Sequence, residues 1–253
     1  MLADDTLWSL GPEMRARTVA VSALADDARY SETVGQWPNE LPRVGPNPAE
    51  IVALDPDVVF LASFSDQAYR AALAEHFELV VLESFSGFED YRTNLRIIGE
   101  ATGEQEQIEL QIERFDARLA ELESQRPSDA SAWPSCVSYE SGYVAGSKTS
   151  FDDAARAAGC RNLVSAAGVE GHAAVDTEQL VAWAPDYLVV SCAGPEPSDC
   201  EQRRNQLREM AGINTLAAVV EGRVITVHPA QFSSVGEGML DLTSTLASSL
   251  PPR

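Results

Sequence analysis

Two stretches, residues 47–63 (NPAEIVALDPDVVFLAS) and 176–192 (DTEQLVAWAPDYLVVSC), run through one order: a capping side chain, a short amphipathic helix, a Pro-Asp turn and an apolar strand. Val52 and Val181, Ala53 and Ala182, Pro56 and Pro185, and Asp57 and Asp186 coincide at one constant offset. A helix feeding a continuously apolar strand belongs to a parallel sheet covered on both faces. Its recurrence makes two related α/β halves the architecture to expect.

Residues 104–125 lie between the two copies. Ile108, Ile112, Phe115, Leu119 and Leu122 recur there at steps of four and three, and Glu, Gln, Arg and Asp fill the other faces. One stripe packs and the rest is solvated. At about 1.5 Å per residue such a helix spans roughly 30 Å, enough to run from one lobe to another. The expected organisation is an N-terminal lobe (1–100), a linking helix (101–127) and a C-terminal lobe (128–253). In the first lobe a helix tail at 4–10, ended by Gly11-Pro12, precedes a strand at 18–22, an irregular stretch at 25–46, a helix at 68–76 and a strand at 78–82. The second starts with a strand at 136–139 and a helix at 151–158. A loop then runs to Val175, and beyond the repeated module come helices at 201–210 and 214–219, a strand at 223–227 and a helix at 238–250. The opening MLADDTLWSLG is already helical in pattern, so the first lobe is expected to lack a first strand.

The charge balance narrows the partners. With 39 acidic against 18 basic residues, a formal charge of −21 and no Lys/Arg cluster, a nucleic-acid binder is excluded. Acidity of this degree suits solubility, a cationic partner or a salty habitat. No apolar run approaches a membrane span, and no basic-then-apolar signal opens the chain. Cys136, Cys160, Cys192 and Cys200 contain no C-x-x-C pair, against zinc and thioredoxin-type sites. Cys192 and Cys200 bracket the turn-rich AGPEPSD and are candidates for a disulfide in an oxidising compartment, whereas Cys136 and Cys160 read as buried thiols.

The pattern resembles the cobalamin, haem and iron-siderophore binding proteins of bacterial ABC importers, whose lobes are joined by a rigid helix (class III periplasmic binding proteins). The resemblance is carried by LPRVGPNPAEIVALDPDVVFLAS, by YRTNLRIIGEATG leading into the long helix, by FDDAARAAGCRNLVSAAGVEGHAAVDTEQLVAWAPDYLVVS and by EGRVITVHPAQFSSVG. It implies a monomeric, non-enzymatic receptor, periplasmic or lipid-anchored outside the inner membrane. Such a receptor needs no cofactor of its own. It captures a small metal chelate (a corrinoid, haem or ferric siderophore) between its lobes and delivers it to an ABC permease. A sensor or scaffold of the same fold, acting without a transporter, is the alternative.

Ligands of parallel sheets sit beyond the carboxyl ends of the strands. The loops there offer Tyr30, Phe64 and Tyr69 in the first lobe, and Tyr143, His172, Gln231 and Phe232 in the second. Aromatic rings stack on a flat macrocycle, each worth roughly 0.5–1.5 kcal/mol beyond burial. His172 stands where the resemblance to cobalamin receptors implies a cleft aromatic, and imidazole also ligates cobalt or iron. The resemblance further implies docking on permease arginines through acidic residues at the top of each lobe, for which Asp66, Glu196 and Asp199 are candidates. No H-E-x-x-H or clustered His/Asp spacing marks a bare-metal site. GYVAGSKT (142–149) falls one residue short of a phosphate loop, no G-x-S-x-G elbow exists, and a Ser233/Ser234–His228 hydrolase pair is separated by a strand and a turn.

Overall fold

The computed structural model describes residues 2–251. It divides into two compact units, 1–85 with 89–114 and 86–88 with 115–253, and the division falls between Arg114 and Phe115, inside the long helix.

The first unit opens with α1 (Leu2–Ser9) and α2 (Pro12–Arg17), followed by β1 (Val21–Ser22), β2 (Arg43–Val44), α3 (Pro48–Leu54), β3 (Val59–Ala62), α4 (Gln67–Ala74) and β4 (Leu79–Leu82). α2 is a correction to the sequence reading: Gly11-Pro12 ends α1 but also starts a second helix, since proline fits a first helical turn. β1 pairs in parallel with β2, and β3 with β4, as two separate sheets. Ile51, Val59 and Leu73 form the core beneath β3, with Tyr69 and Phe77 packed against it. α5 (Phe88–Thr102) and α6 (Gln105–Ser124) follow, turning at Gly103, whose φ of 79° suits glycine. Gly99 lets the two helices close, because a Cβ there would lie 2.8 Å from Ile108. All five stripe residues of α6 are buried.

The second unit contains β5 (Ser135–Ser138), β6 (Tyr143–Ala145), α7 (Ser150–Ala158), β7 (Arg161–Asn162), α8 (Leu163–Ala166), β8 (His172–Ala174), α9 (Thr177–Trp183), β9 (Tyr187–Ser191), α10 (Pro197–Glu209), α11 (Ala217–Val220), β10 (Val224–Val227), α12 (Pro229–Phe232) and α13 (Gly238–Ser249). Its main sheet runs β10-β9-β5-β7, every neighbour parallel. Val189, Ile225 and Val227 face α7 and α13 on one side, while Val137, Leu188 and Val190 face α9 and α10 on the other. This covered sheet explains the unbroken apolar run of β9. Arg118 of α6 pairs with Asp241 of α13.

The two copies of the module differ in their surroundings. β9 is paired on both edges, but among the described residues β3 is paired only with β4. Phe60, Leu61 and Ala62 are accordingly only half-buried, where Leu188, Val189 and Val190 are buried. At the turns, Asp186 accepts from the Ser135 backbone N–H (2.8 Å) and hydroxyl (2.7 Å), and its own N–H donates back to that hydroxyl (2.9 Å). Asp57 is exposed and has no such partner among the described residues.

Both cysteine pairs are joined: Cys192 to Cys200, Cα atoms 4.2 Å apart, and Cys136 to Cys160, 6.1 Å apart. The second pair corrects the reading of two separate buried thiols. β5 and β7 are neighbours in register, which brings Cys136 beside Cys160 although 24 residues separate them.

Candidate functional site

In the first unit the loop after β3 is held by Ser63 N–H donating to Leu82 (2.9 Å) and Ser65 N–H to Ala62 (2.9 Å). Phe64, at its tip, is 80% exposed. Its ring centroid lies 5.4 Å from that of Phe85, which follows β4. Phe85 escaped the sequence reading. The signal was available, since neighbouring parallel strands bring their following loops to the same end of the sheet. The loop ends at Asp66, whose carboxylate caps α4 by accepting from the Tyr69 N–H at 2.9 Å.

The two candidate tyrosines of this unit have different surroundings. Tyr69 packs on the α3–α4 core and donates to the Gly45 carbonyl at 3.4 Å, and burial, with Glu50 nearby, pushes its phenol above the ordinary value. Tyr30 is exposed, with the Arg29 guanidinium 5.4 Å from its ring centre. Arg29 also binds Asp27 and holds that carboxyl down at about 2. Arg70 keeps a buried Nε with no acceptor among the described residues.

In the second unit β6 and β8 form an antiparallel ribbon beside the end of β5. Tyr143 lies opposite Ala174, and Ala145 opposite His172. β7, α8 and β8 correct the reading of 159–175 as loop, since elements of two to four residues carry too little periodicity to register as strand or helix. β6 is entered from β5 by a tight turn through Ser141 (φ 51°) and Gly142 (φ 86°), with Glu140 and Tyr143 exchanging two 2.9 Å bonds, the left-handed pair a two-residue hairpin requires. Side chains directly opposite share a face, and so do those two residues along. Tyr143 and His172 therefore project from the same face, and both are exposed. Beyond β6, Gly146 N–H donates to Gly171 (2.8 Å) and Ser147 N–H to Val169 (2.9 Å). Gly146 is required there: a Cβ would stand 2.1 Å from the Val169 carbonyl oxygen. Lys148 is not a free cation, for its Nζ pairs with Glu170 at 2.8 Å.

The remaining candidates have local partners. Gln231 and Phe232 lie on α12, Phe232 against the core cluster of β9, β10 and α13. His228 caps that helix, its Nδ1 accepting from the Ala230 N–H at 3.2 Å. Glu196 and Asp199 form a capping box at the start of α10, Asp199 accepting from the Glu196 N–H at 2.9 Å, next to the Cys192–Cys200 link. All three acidic docking candidates thus cap helices, a role that leaves an oxygen for other contacts. Among the described residues there is no group of three or more His, Cys, Asp or Glu side chains able to hold a bare metal ion, and no helix is long and apolar enough to cross a membrane.

Parallel α/β units built around one repeated module, with exposed rings beyond the ends of their strands, have the fold of a two-unit solute receptor. The sequence profile described as periplasmic binding protein matches residues 15–230, and the chain belongs to that family. The periplasmic haem-binding protein HutB of Vibrio cholerae is 17% identical, with a TM-score of 0.79 over 99% of this chain and 96% of that one. The haem-binding protein RhuT of Roseiflexus sp. RS-1, in apo form, is 19% identical, with a TM-score of 0.76 over 98% and 95%. A periplasmic haem-binding protein of Pseudomonas aeruginosa is 21% identical, with a TM-score of 0.74 over 99% and 91%. Identities this low speak for the fold. No curated protein matches the sequence.

Proposed function

We propose that this chain is the solute receptor of an ABC importer, capturing a metal chelate of the corrinoid, haem or ferric-siderophore kind outside the cytoplasm. The observation that carries the reading is the pair of solvent-facing aromatic platforms: Phe64 against Phe85 in the first unit, and Tyr143 on the ribbon of the second. Exposed rings at such places offer faces on which a flat ligand can stack. Family membership supports the reading, as do two disulfides, which persist in oxidising compartments. Lys148, the cation that follows the ribbon strand β6, is paired with Glu170, which disfavours a highly anionic catecholate chelate.

The test is an absorbance and calorimetric titration with haemin, cyanocobalamin, cobinamide and a panel of ferric siderophores. One of them should bind at submicromolar Kd. Phe64→Ala and Tyr143→Ala should each weaken binding by roughly 0.5–1.5 kcal/mol per lost stacking ring without lowering Tm. A folded protein that binds none of the panel would refute the assignment.

A further inference from the structure

Resting on that reading, we propose that Arg203, on α10, is the positioning residue of the second unit's aromatic platform, holding the strand end that carries the Tyr143 ring through the Glu140 carboxylate. The turn into β6 starts at Glu140 and ends at Tyr143, and the two exchange backbone bonds of 2.9 Å. The Glu140 carboxylate is engaged at both oxygens: Ser141 Oγ donates to Oε1 at 3.0 Å, and an Arg203 Nη lies 3.4 Å from Oε2. These contacts tie to a helix a turn whose Ser141, at φ 51°, has a backbone that residues other than glycine seldom adopt. The helix is itself fixed. α10 starts at the capping box of Glu196 and Asp199, and Cys200, one turn before Arg203, is joined to Cys192 just after β9. One turn beyond Arg203, Leu207 is buried in the cluster of Val137, Leu188 and Val190.

Arg203 suits this role better than a stabilising one. Its side chain is 12% exposed against 42% for Glu140, and its buried Nε has no acceptor among the described residues. Burying a guanidinium with a donor unfilled opposes folding, and an apolar side chain of like volume at such a site is often neutral or stabilising. Glu140 stays hydrated when its partner is removed, so loss of Arg203 strands no buried charge. What the cation supplies is a fixed direction. A guanidinium packed against the protein keeps its geometry, whereas an exposed pair on the same helix, Arg208 with Glu201, exchanges freely with water. A ring carried on a turn that is already held loses less freedom when a ligand stacks on it, which strengthens binding without a new contact.

Whichever of haemin, cyanocobalamin, cobinamide and the ferric siderophores binds the full chain most tightly is titrated into Arg203→Met, Arg203→Lys, Glu140→Ala, Tyr143→Ala and a chain carrying both Arg203→Met and Tyr143→Ala. Arg203→Met and Glu140→Ala should each weaken binding roughly 2- to 10-fold, the range that one stacking ring spans, and Arg203→Lys should weaken it less. The Tm of Arg203→Met should be unchanged or higher, while hydrogen exchange at the Glu140 and Tyr143 amides of the ligand-free protein quickens. Where Tyr143 is already alanine, Arg203→Met should weaken binding no further, because its effect passes through the ring. An unchanged Kd or a lower Tm in Arg203→Met, or additive losses when the two substitutions are combined, overturns the inference. So does tighter binding in Glu140→Ala, the sign expected if Arg203 only neutralised a carboxylate near an anionic chelate. Each of these leaves the receptor reading standing. If wild type binds none of the chelates, both fall.

Discussion

Asp186→Asn isolates what the repeated Pro-Asp turn does in the second unit. The Asp186 carboxylate takes two hydrogen bonds from Ser135, at 2.8 and 2.7 Å, and these hold its acid below the ordinary carboxylate value, with Arg223 and Arg161 adding smaller contributions. Asn keeps an oxygen acceptor but removes the charge. A charge-assisted bond contributes about 1.5–3 kcal/mol and a neutral one about 1, so the loss is of order 1 kcal/mol per bond before screening. Asp186 is exposed, and screening brings the expected total to about 1 kcal/mol at pH 7. The sign follows from the lowered acidity: the stabilisation is fully present above the unfolded carboxyl value of about 3.9 and is lost as pH falls through the folded value. Urea unfolding of wild type and Asp186→Asn should therefore differ in midpoint at pH 7 and converge below about pH 4, with an unchanged m-value. Asp57→Asn is the control, since it removes the same charge from a partnerless site and so measures only the relief of general repulsion. Equal midpoints for Asp186→Asn and Asp57→Asn at pH 7, or a gap between them that persists in acid, would show the reasoning to be wrong.

Asp5 has the opposite sign: burial raises its acid against the Thr33 and Ser31 hydroxyls that bind it, so its ionised form costs stability as pH rises through the folded value. Asp5→Asn should raise Tm at pH 7 and lose that advantage below about pH 4, as thermal melts across pH will show. Gly146→Ala should destabilise the ribbon by about 2 kcal/mol or more, because the new methyl meets a backbone carbonyl at 2.1 Å, and hydrogen exchange at Ser147 and Gly171 would report it. With a charge of −21 and one lysine, Lys148, among 18 basic residues, self-repulsion should dominate the salt response. Tm should climb from low salt to 1 M NaCl, where the screening length shortens to about 3 Å, and a falling Tm would contradict this.

Periodicity and turn chemistry needed only local sequence to be read. The repeated module, the stripe of α6 and the parallel α/β class are legible there because caps, Pro-Asp turns and apolar spacing act over a few residues. α2 and β8 were not, one because Pro12 both stops and starts a helix, the other because three residues carry no period. The candidate site divides in the same way. Phe64 and Tyr143 announce themselves as rings just beyond strands. Pairing between distant segments decided the rest. Parallel β3 and β4 bring Phe85 to Phe64, antiparallel β6 and β8 put His172 on the face of Tyr143, and β5 beside β7 joins Cys136 to Cys160. The duplicated aspartates show the limit most directly: Asp57 and Asp186 occupy matching positions in the sequence, yet only Asp186 meets a serine. A side chain's partner depends on which strand lies alongside, and that is fixed by long-range packing rather than by its neighbours in the chain.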